Sequence, residues 1–498
     1  MTLRSFVSLV SLALLALVFT LLIRTWLHQK ALPNQPHIEQ KPANAAQLTR
    51  LSQAIQFPTV SRLDGRDPNA TRVDPAVFLD FHRWLAGAYP LVHRDLELER
   101  INQFSLLYRW PGSDPKARPI VLTAHQDIVP YAISTRKTWI HPPYSGAIKD
   151  GYVWGRGTMD DKASMLAILE SIEALLLSGA KPQRDIYLAF GHDEEVGGEH
   201  GAKAMAERLA RLGVSPALVL DEGGFVLDEV VPGVPVPVAL IGVAEKGYLN
   251  VSLTAKGIPG HSSMPPAQTT PGRLARAISR LEDHPMPAEY SGATQQLFDA
   301  TSGYMAFNYR LLFANLWLFK PLLLDQLTAS AATNAVVRTT MAVTLLNAGV
   351  KDNVLAPEAT ANINVRLLPN TEPKQVIEYI EAIIDDPAIQ VDIRPPYNRA
   401  TPISEQNNLA FKILKHTTEK VFGASRTVVA PYLTINATDA RHYIELTSRV
   451  YRFLPLALDD SDLPRIHGPN ERISVEAYGQ MLTFYRSLVQ QLAMPNLN

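Results

Sequence analysis

Residues 185–201 read DIYLAFGHDEEVGGEHG. An apolar run from Ile186 to Phe190 ends in three consecutive acids, Asp193, Glu194 and Glu195, followed by two glycines. The run has the length and aromatic content of a buried strand. Adjacent carboxylates repel and raise each other's pKa, so their crowding at a strand end calls for a positive charge. Two other stretches repeat the design. PIVLTAHQD (119–127) ends in His125 and Asp127, and ALVLDEGG (217–224) ends in Asp221 and Glu222. Between the first two strands lies GRGTMDDKASMLAILESIEALLLSGA (155–180). Its Leu166, Leu169, Ile172, Leu175 and Leu176 fall on one helical face, and Gly179 suits the helix end. Strands alternating with amphipathic helices predict an α/β sheet.

Open α/β sheets bind ligands outside the carboxyl ends of their strands. A lone acid after a strand is ordinarily a solvated turn, but here several such ends belong to one sheet. The loop before the helix adds Asp160 and Asp161, and RIHGPNE (465–471) adds His467. The chain has no cysteine, which excludes disulfides, thiolate metal sites and cysteine nucleophiles. Imidazole and carboxylate donors without sulfur suit zinc, and also manganese or cobalt. The candidates outnumber what one tetrahedral ion takes, which favours two metals sharing a carboxylate.

The 498 residues are 46% hydrophobic and 19% charged, enough for several domains with large cores. A net charge of -1 gives no reason to expect a nucleic-acid partner. Phe6–Ile23 carries no charge and is long enough to cross a bilayer. The expectation is an uncleaved N-terminal signal anchor over 1–24 and a polar, Pro-rich linker over 25–44. The catalytic domain would then be membrane-anchored and extracytoplasmic, or secreted if the segment is cleaved.

An α/β domain is expected over 45–244 and 398–498. It is interrupted at 245–397 by a βαββαβ pattern, the ferredoxin-like α+β sandwich. An apolar helical insertion at about 285–335 interrupts that pattern in turn. Its segment YMAFNYRLLFANLWLFKPLLL (304–324) is read as a helical pair covering the sandwich. A sharper expectation is that Phe313, Trp317, Leu318 and Phe319 line a channel for an acyl chain.

The motifs AHQDIVP, GRGTMDDK, GHDEEVGG, LDEGGF, GHSSMPP and RIHGPNE together resemble those of the M20 family of zinc metallopeptidases, in its carboxypeptidase S and PM20D1-like branch. The resemblance covers about 45–495. It implies a di-zinc catalytic α/β domain with a mixed sheet and an inserted lid or dimerisation domain. It implies His125 and Asp221 on one zinc, Glu195 and His467 on the other, and Asp160 bridging both. Asp127 would orient His125, and Glu194 would be the general base. The bond between Asp160 and Asp161 would be cis. His261, Asn353 and Arg366 would bind substrate, His261 often across a homodimer. The implied activity is hydrolysis, and also synthesis, of the amide of N-acyl amino acids. An exopeptidase releasing C-terminal residues from short peptides is the alternative. A reading from another class is a non-catalytic, zinc-stabilised, membrane-tethered binding protein, which the intact Glu194 opposes.

Overall fold

The computed structural model describes residues 3–34, 36–64, 67–228, 230–459 and 461–494. Its larger part is built on a ten-stranded mixed sheet. Leu218–Asp221, Ile120–His125 and Ile186–Gly191 lie side by side and parallel, with Leu122 opposite both Leu188 and Leu220. Their carboxyl ends therefore meet at one edge, with His125 opposite Gly191. All six residues of Ile120–His125 are buried, as expected of a parallel strand covered on both faces. Antiparallel strands Ser105–Trp110 and Glu97–Ile101 extend the sheet on one side. On the other side Val238–Glu245 pairs in parallel with Val428–Thr434, so the chain rejoins this sheet after its excursion.

The helix Lys162–Leu177 buries Leu166, Leu169, Ile172 and Leu175 as expected, and ends at Gly179 with φ +73°. It also buries Lys162 and Glu170, with the helix Ala45–Ile55 and the C-terminal helix Val475–Ala493 both packed against it. Lys162 Nζ donates to the carbonyls of Ala54 at 3.0 Å and Phe57 at 2.5 Å. Glu170 pairs with Arg50 at 2.5 Å.

The interrupting unit is a βαββαβ sandwich. It runs Gly247–Lys256, Thr270–Asp283, Thr340–Ala348, Glu358–Leu367, Pro373–Ile384 and Ile389–Asn398. Its four strands are antiparallel, with Gly247–Lys256 and Glu358–Leu367 in the middle. Leu249, Val251, Leu253, Ile363 and Val365 pack against Leu274, Leu281, Val376 and Ile380 of the two helices.

The helical insertion departs from expectation. Its helices Gly292–Thr301, Phe307–Ala314, Leu316–Thr328 and Ala331–Val337 cover the large sheet, not the sandwich. The reason is that Val238–Glu245 and Val428–Thr434 are apolar on both faces. Ala239, Ile241 and Val429 enter the main core, while Val238, Leu240, Val428 and Ala430 need a second cover. Phe298 and Phe313 supply it, stacked at 4.8 Å. Trp317 and Leu318 point outward and are exposed, so the expected acyl channel does not form from these side chains.

The N-terminal helix spans Leu3–Leu27. The stretch that follows lies along the protein surface. Ile38 N–H donates to Lys420 O at 2.9 Å, and Ala43 N–H to Val475 O at 3.1 Å. Asn44 then caps the helix Ala45–Ile55 through a reciprocal bond with Gln47.

Candidate active site

The three parallel strands deliver their end residues to one cavity. Asp160, Glu194, Glu195, Glu222 and His467 line it, with Arg366 at its wall. His125 is buried beneath them. Its Nδ1–H donates to the backbone carbonyl of Asp127 at 2.9 Å. That fixes the tautomer and leaves the Nε2 lone pair facing Asp160 Oδ1 at 2.9 Å and Glu222 Oε1 at 3.5 Å. On the other side of Asp160, His467 Nε2 lies 2.9 Å from Asp160 Oδ2 and 3.2 Å from Glu195 Oε2. Around His125 acceptors face acceptors, which requires a proton or a cation between them.

The donors form two groups, His125–Asp160–Glu222 and Asp160–Glu195–His467, each with its ligand atoms within 4.8 Å of one another. Asp160 belongs to both. Glu195 Oε1 is buried without a hydrogen-bond partner among the described residues. The charges point the same way. Burial, then the nearby Asp160, pushes Glu222 up to about 7. Burial pushes Glu194 well above the carboxylate range. Hydrogen bonds to Asp160 and Glu195 push His467 up to about 10. Carboxylates pushed up by burial and mutual repulsion, and an imidazole pushed up by the anions beside it, mark a site that fits divalent cations.

Glu222 stands in the first group, where the sequence expectation places Asp221. Asp221 is turned into the sheet, where Thr123 Oγ1 donates to its Oδ1 at 2.5 Å and Ala440 N–H to its Oδ2 at 2.6 Å. With each oxygen taken by a protein donor, Asp221 braces the strand end that carries Glu222.

Asp127 acts differently from the simple imidazole brace expected. Its backbone carbonyl holds His125, and its carboxylate lies 3.4 Å from Nδ1. The same carboxylate accepts the backbone N–H groups of Glu194 at 3.2 Å and Glu195 at 3.1 Å, and the Ser61 hydroxyl. It therefore fixes two strand ends relative to each other. Gly198, at φ +68°, makes room behind them, since a Cβ there would lie 2.1 Å from Asp439 Oδ1. The bond Asp160–Asp161 is cis.

Sequence reasoning missed a buried pair. Arg156 Nη1 donates to Glu471 Oε2 at 2.6 Å, and Arg156 Nη2 to the His467 carbonyl at 2.9 Å. Glu471 Oε1 accepts from the backbone of Gly157 at 2.8 Å and Met159 at 2.9 Å. The pair ties the loop of Asp160 to the loop of His467. Both residues stand inside quoted motifs, but only their partnership across the fold gives them meaning.

Of the expected substrate-binding residues, Arg366 alone lines the cavity. Its guanidinium lies 4.9 Å from the centre of the Tyr248 ring, and it makes no ion pair among the described residues. His261 and Asn353 sit together on a small exposed ribbon where His261 pairs with Val354. Neither lines the cavity of its own chain.

The sequence profile of peptidase family M20/M25/M40 matches residues 121–491. The chain belongs to peptidase family M20/M25/M40. Among its M20 relatives, N-fatty-acyl-amino acid synthase/hydrolase PM20D1 of Xenopus tropicalis is 39% identical over 97% of this chain and 94% of its own length. Probable carboxypeptidase S-like 2 of Dictyostelium discoideum is 41% identical over 89% of this chain and 84% of its own. The fold is that of an M20 metallo-carboxypeptidase from Sulfolobus solfataricus, at TM-score 0.63 and 17% identity over 90% of this chain and 99% of that one. The protein is an M20 hydrolase of amide or peptide C–N bonds. M20 enzymes typically depend on a metal pair, and the two groups around Asp160 are its candidate ligands here.

Proposed function

We propose that this M20 enzyme hydrolyses the amide bond of N-acyl amino acids, and forms it when free acid and amine are abundant. The observation that carries the reading is the mixed lining of the cavity, about 660 Å³ in volume. The carboxylate and imidazole cluster shares it with apolar side chains, among them Phe225, Leu227, Val230, Leu240 and Ile466. Arg366 adds a guanidinium without an ion pair among the described residues, which suits bidentate pairing with a carboxylate. An amphiphile with an apolar acyl group, an amide and a terminal carboxylate matches these three features. The likeness to the Xenopus synthase/hydrolase supports the same substrate class. The likeness to a carboxypeptidase S-like protein favours a second reading, release of C-terminal residues from short peptides, which present the same amide and carboxylate.

His125, Asp160 and Glu222 would hold one zinc ion, and Asp160, Glu195 and His467 the second. Such ions supply Lewis-acid polarisation of the carbonyl and acidify water. Glu194 takes a proton from the attacking water as its oxygen bonds to the carbonyl carbon. It then delivers that proton to the leaving nitrogen as the C–N bond breaks. Asp127 holds the Glu194 backbone in place for both transfers. The helix Leu3–Leu27 anchors the enzyme in a membrane with its catalytic domain on the extracytoplasmic side. The edge strand Thr340–Ala348, with Leu345 and Leu346 exposed, supports a homodimer through the inserted sandwich.

The test is a turnover screen of zinc-loaded enzyme against N-acyl amino acids and dipeptides. The proposal expects kcat/KM to rise with acyl length and to exceed the values for dipeptides. Preference for dipeptides, with no dependence on acyl length, would favour the exopeptidase instead.

A further inference from the structure

The end of the N-terminal helix is fastened to the helical insertion. Thr25 is fully buried. Asn315, buried at the joint between Phe307–Ala314 and Leu316–Thr328, donates through Nδ2 to Leu21 O and Thr25 Oγ1, both at 3.3 Å. Arg24 Nε donates to Ala314 O at 3.0 Å. Just beyond the helix, His28 Nε2 lies 2.7 Å from Ser302 Oγ, and Lys30 N–H donates to Gly303 O at 2.9 Å. The point where an anchored chain leaves the bilayer is thus fixed to the insertion.

The outward side of that same joint is apolar. Trp317 is 59% exposed and Leu322 48%, with Leu318 and Phe307 also open to solvent. Trp26, 71% exposed, and Leu27 continue this surface from the anchor. No acid occurs between Asp299 and Asp325, where the only charges are Arg310 and Lys320. Tryptophan, leucine and a snorkelling lysine, with a single acid, Asp325, in the last turn of Leu316–Thr328, make up the composition of a helix in a bilayer interface. Leu316–Thr328 has 13 residues, too few to cross the hydrocarbon.

We propose that Leu316–Thr328 lies flat in the surface of the phospholipid bilayer that holds the anchor helix, and seats the enzyme on it. The proposal rests on the anchor reading above. It has a consequence for the substrate. Leu323 and Leu327, on the buried side of this helix, belong to the apolar cluster that reaches Leu227 and Leu240 of the cavity wall. Acyl chains dissolved in the bilayer then lie one helix layer from the apolar lining of the site.

The chain has no native cysteine, so a single introduced thiol takes a nitroxide label without competition. The full chain is reconstituted in phosphatidylcholine vesicles with the label at Leu318→Cys or Leu322→Cys. Leu12→Cys, within the anchor, reports lipid. Leu177→Cys reports water, because Leu177 is exposed at the end of a helix that packs on the opposite face of the large sheet. Collisions with oxygen, which partitions into lipid, are compared with collisions with a water-soluble nickel chelate. Labels at 318 and 322 are expected to favour oxygen as Leu12→Cys does, reversing the ratio seen at Leu177→Cys. If they match Leu177→Cys in chains that float with the vesicles, the seat is wrong and the anchor stands. If the chain does not float, anchor and seat both fall.

Discussion

Glu222 and Asp221 are neighbours that point in opposite directions. Side chains alternate across a strand and beyond its end, so one of the two turns into the sheet and the other toward the cavity. The DE pair in LDEGG marked the place, but which acid faces the cavity depends on Thr123 and Ala440, and Ala440 lies more than 200 residues away in sequence. Glu222→Ala is expected to lose one bound metal per chain with little change in unfolding temperature. Asp221→Ala should keep the metals but lose ~1–3 kcal/mol of stability through the stranded Ala440 N–H and Thr123 hydroxyl. Metal analysis beside thermal unfolding separates the two, and metal loss from Asp221→Ala alone would restore the sequence assignment. Glu194→Gln is expected to retain both metals and lose ~10²–10⁴-fold in turnover. Near-full turnover in that variant would remove Glu194 from the proton transfers.

The elements whose signal is local were legible. Apolar runs of strand length placed the three parallel strands, and periodicity the helix after Asp161 and the βαββαβ sandwich. Features that depend on partners distant in sequence were not. The insertion covers the large sheet because Val238 and Leu240 need a cover, and an unbroken apolar strand does not say what covers either face. The Arg156–Glu471 pair was equally hidden, since its members lie 315 residues apart. It is fully buried, so removing one partner leaves an uncompensated charge. Glu471→Ala is expected to cost ~3–5 kcal/mol in denaturant unfolding and to loosen metal at His467 before metal at His125. A loss below ~1 kcal/mol, within the range of surface ion pairs, would mean that the two loops are held by other contacts.

At the scale of the whole molecule, the substrate site joins two bodies. The ends of the large sheet's strands supply His125, Glu194, Glu195 and Glu222, loops of the same body supply Asp160 and His467, and the sandwich supplies Arg366. Arg366→Ala is therefore expected to raise KM for substrates with a free carboxylate by ~10–100-fold, the worth of a charge-assisted hydrogen bond of ~1.5–3 kcal/mol. KM for the corresponding carboxamides should change far less. Equal effects on both would reduce Arg366 to a partner of the Tyr248 ring. Asp160 belongs to both donor groups, and this shared carboxylate predicts a binuclear site. Its most direct test is to strip the enzyme of metal and follow hydrolysis of an N-acyl amino acid as zinc is added back. Turnover is predicted to climb to a plateau at two zinc ions per chain. A plateau at one, or full turnover in the stripped enzyme, would contradict it.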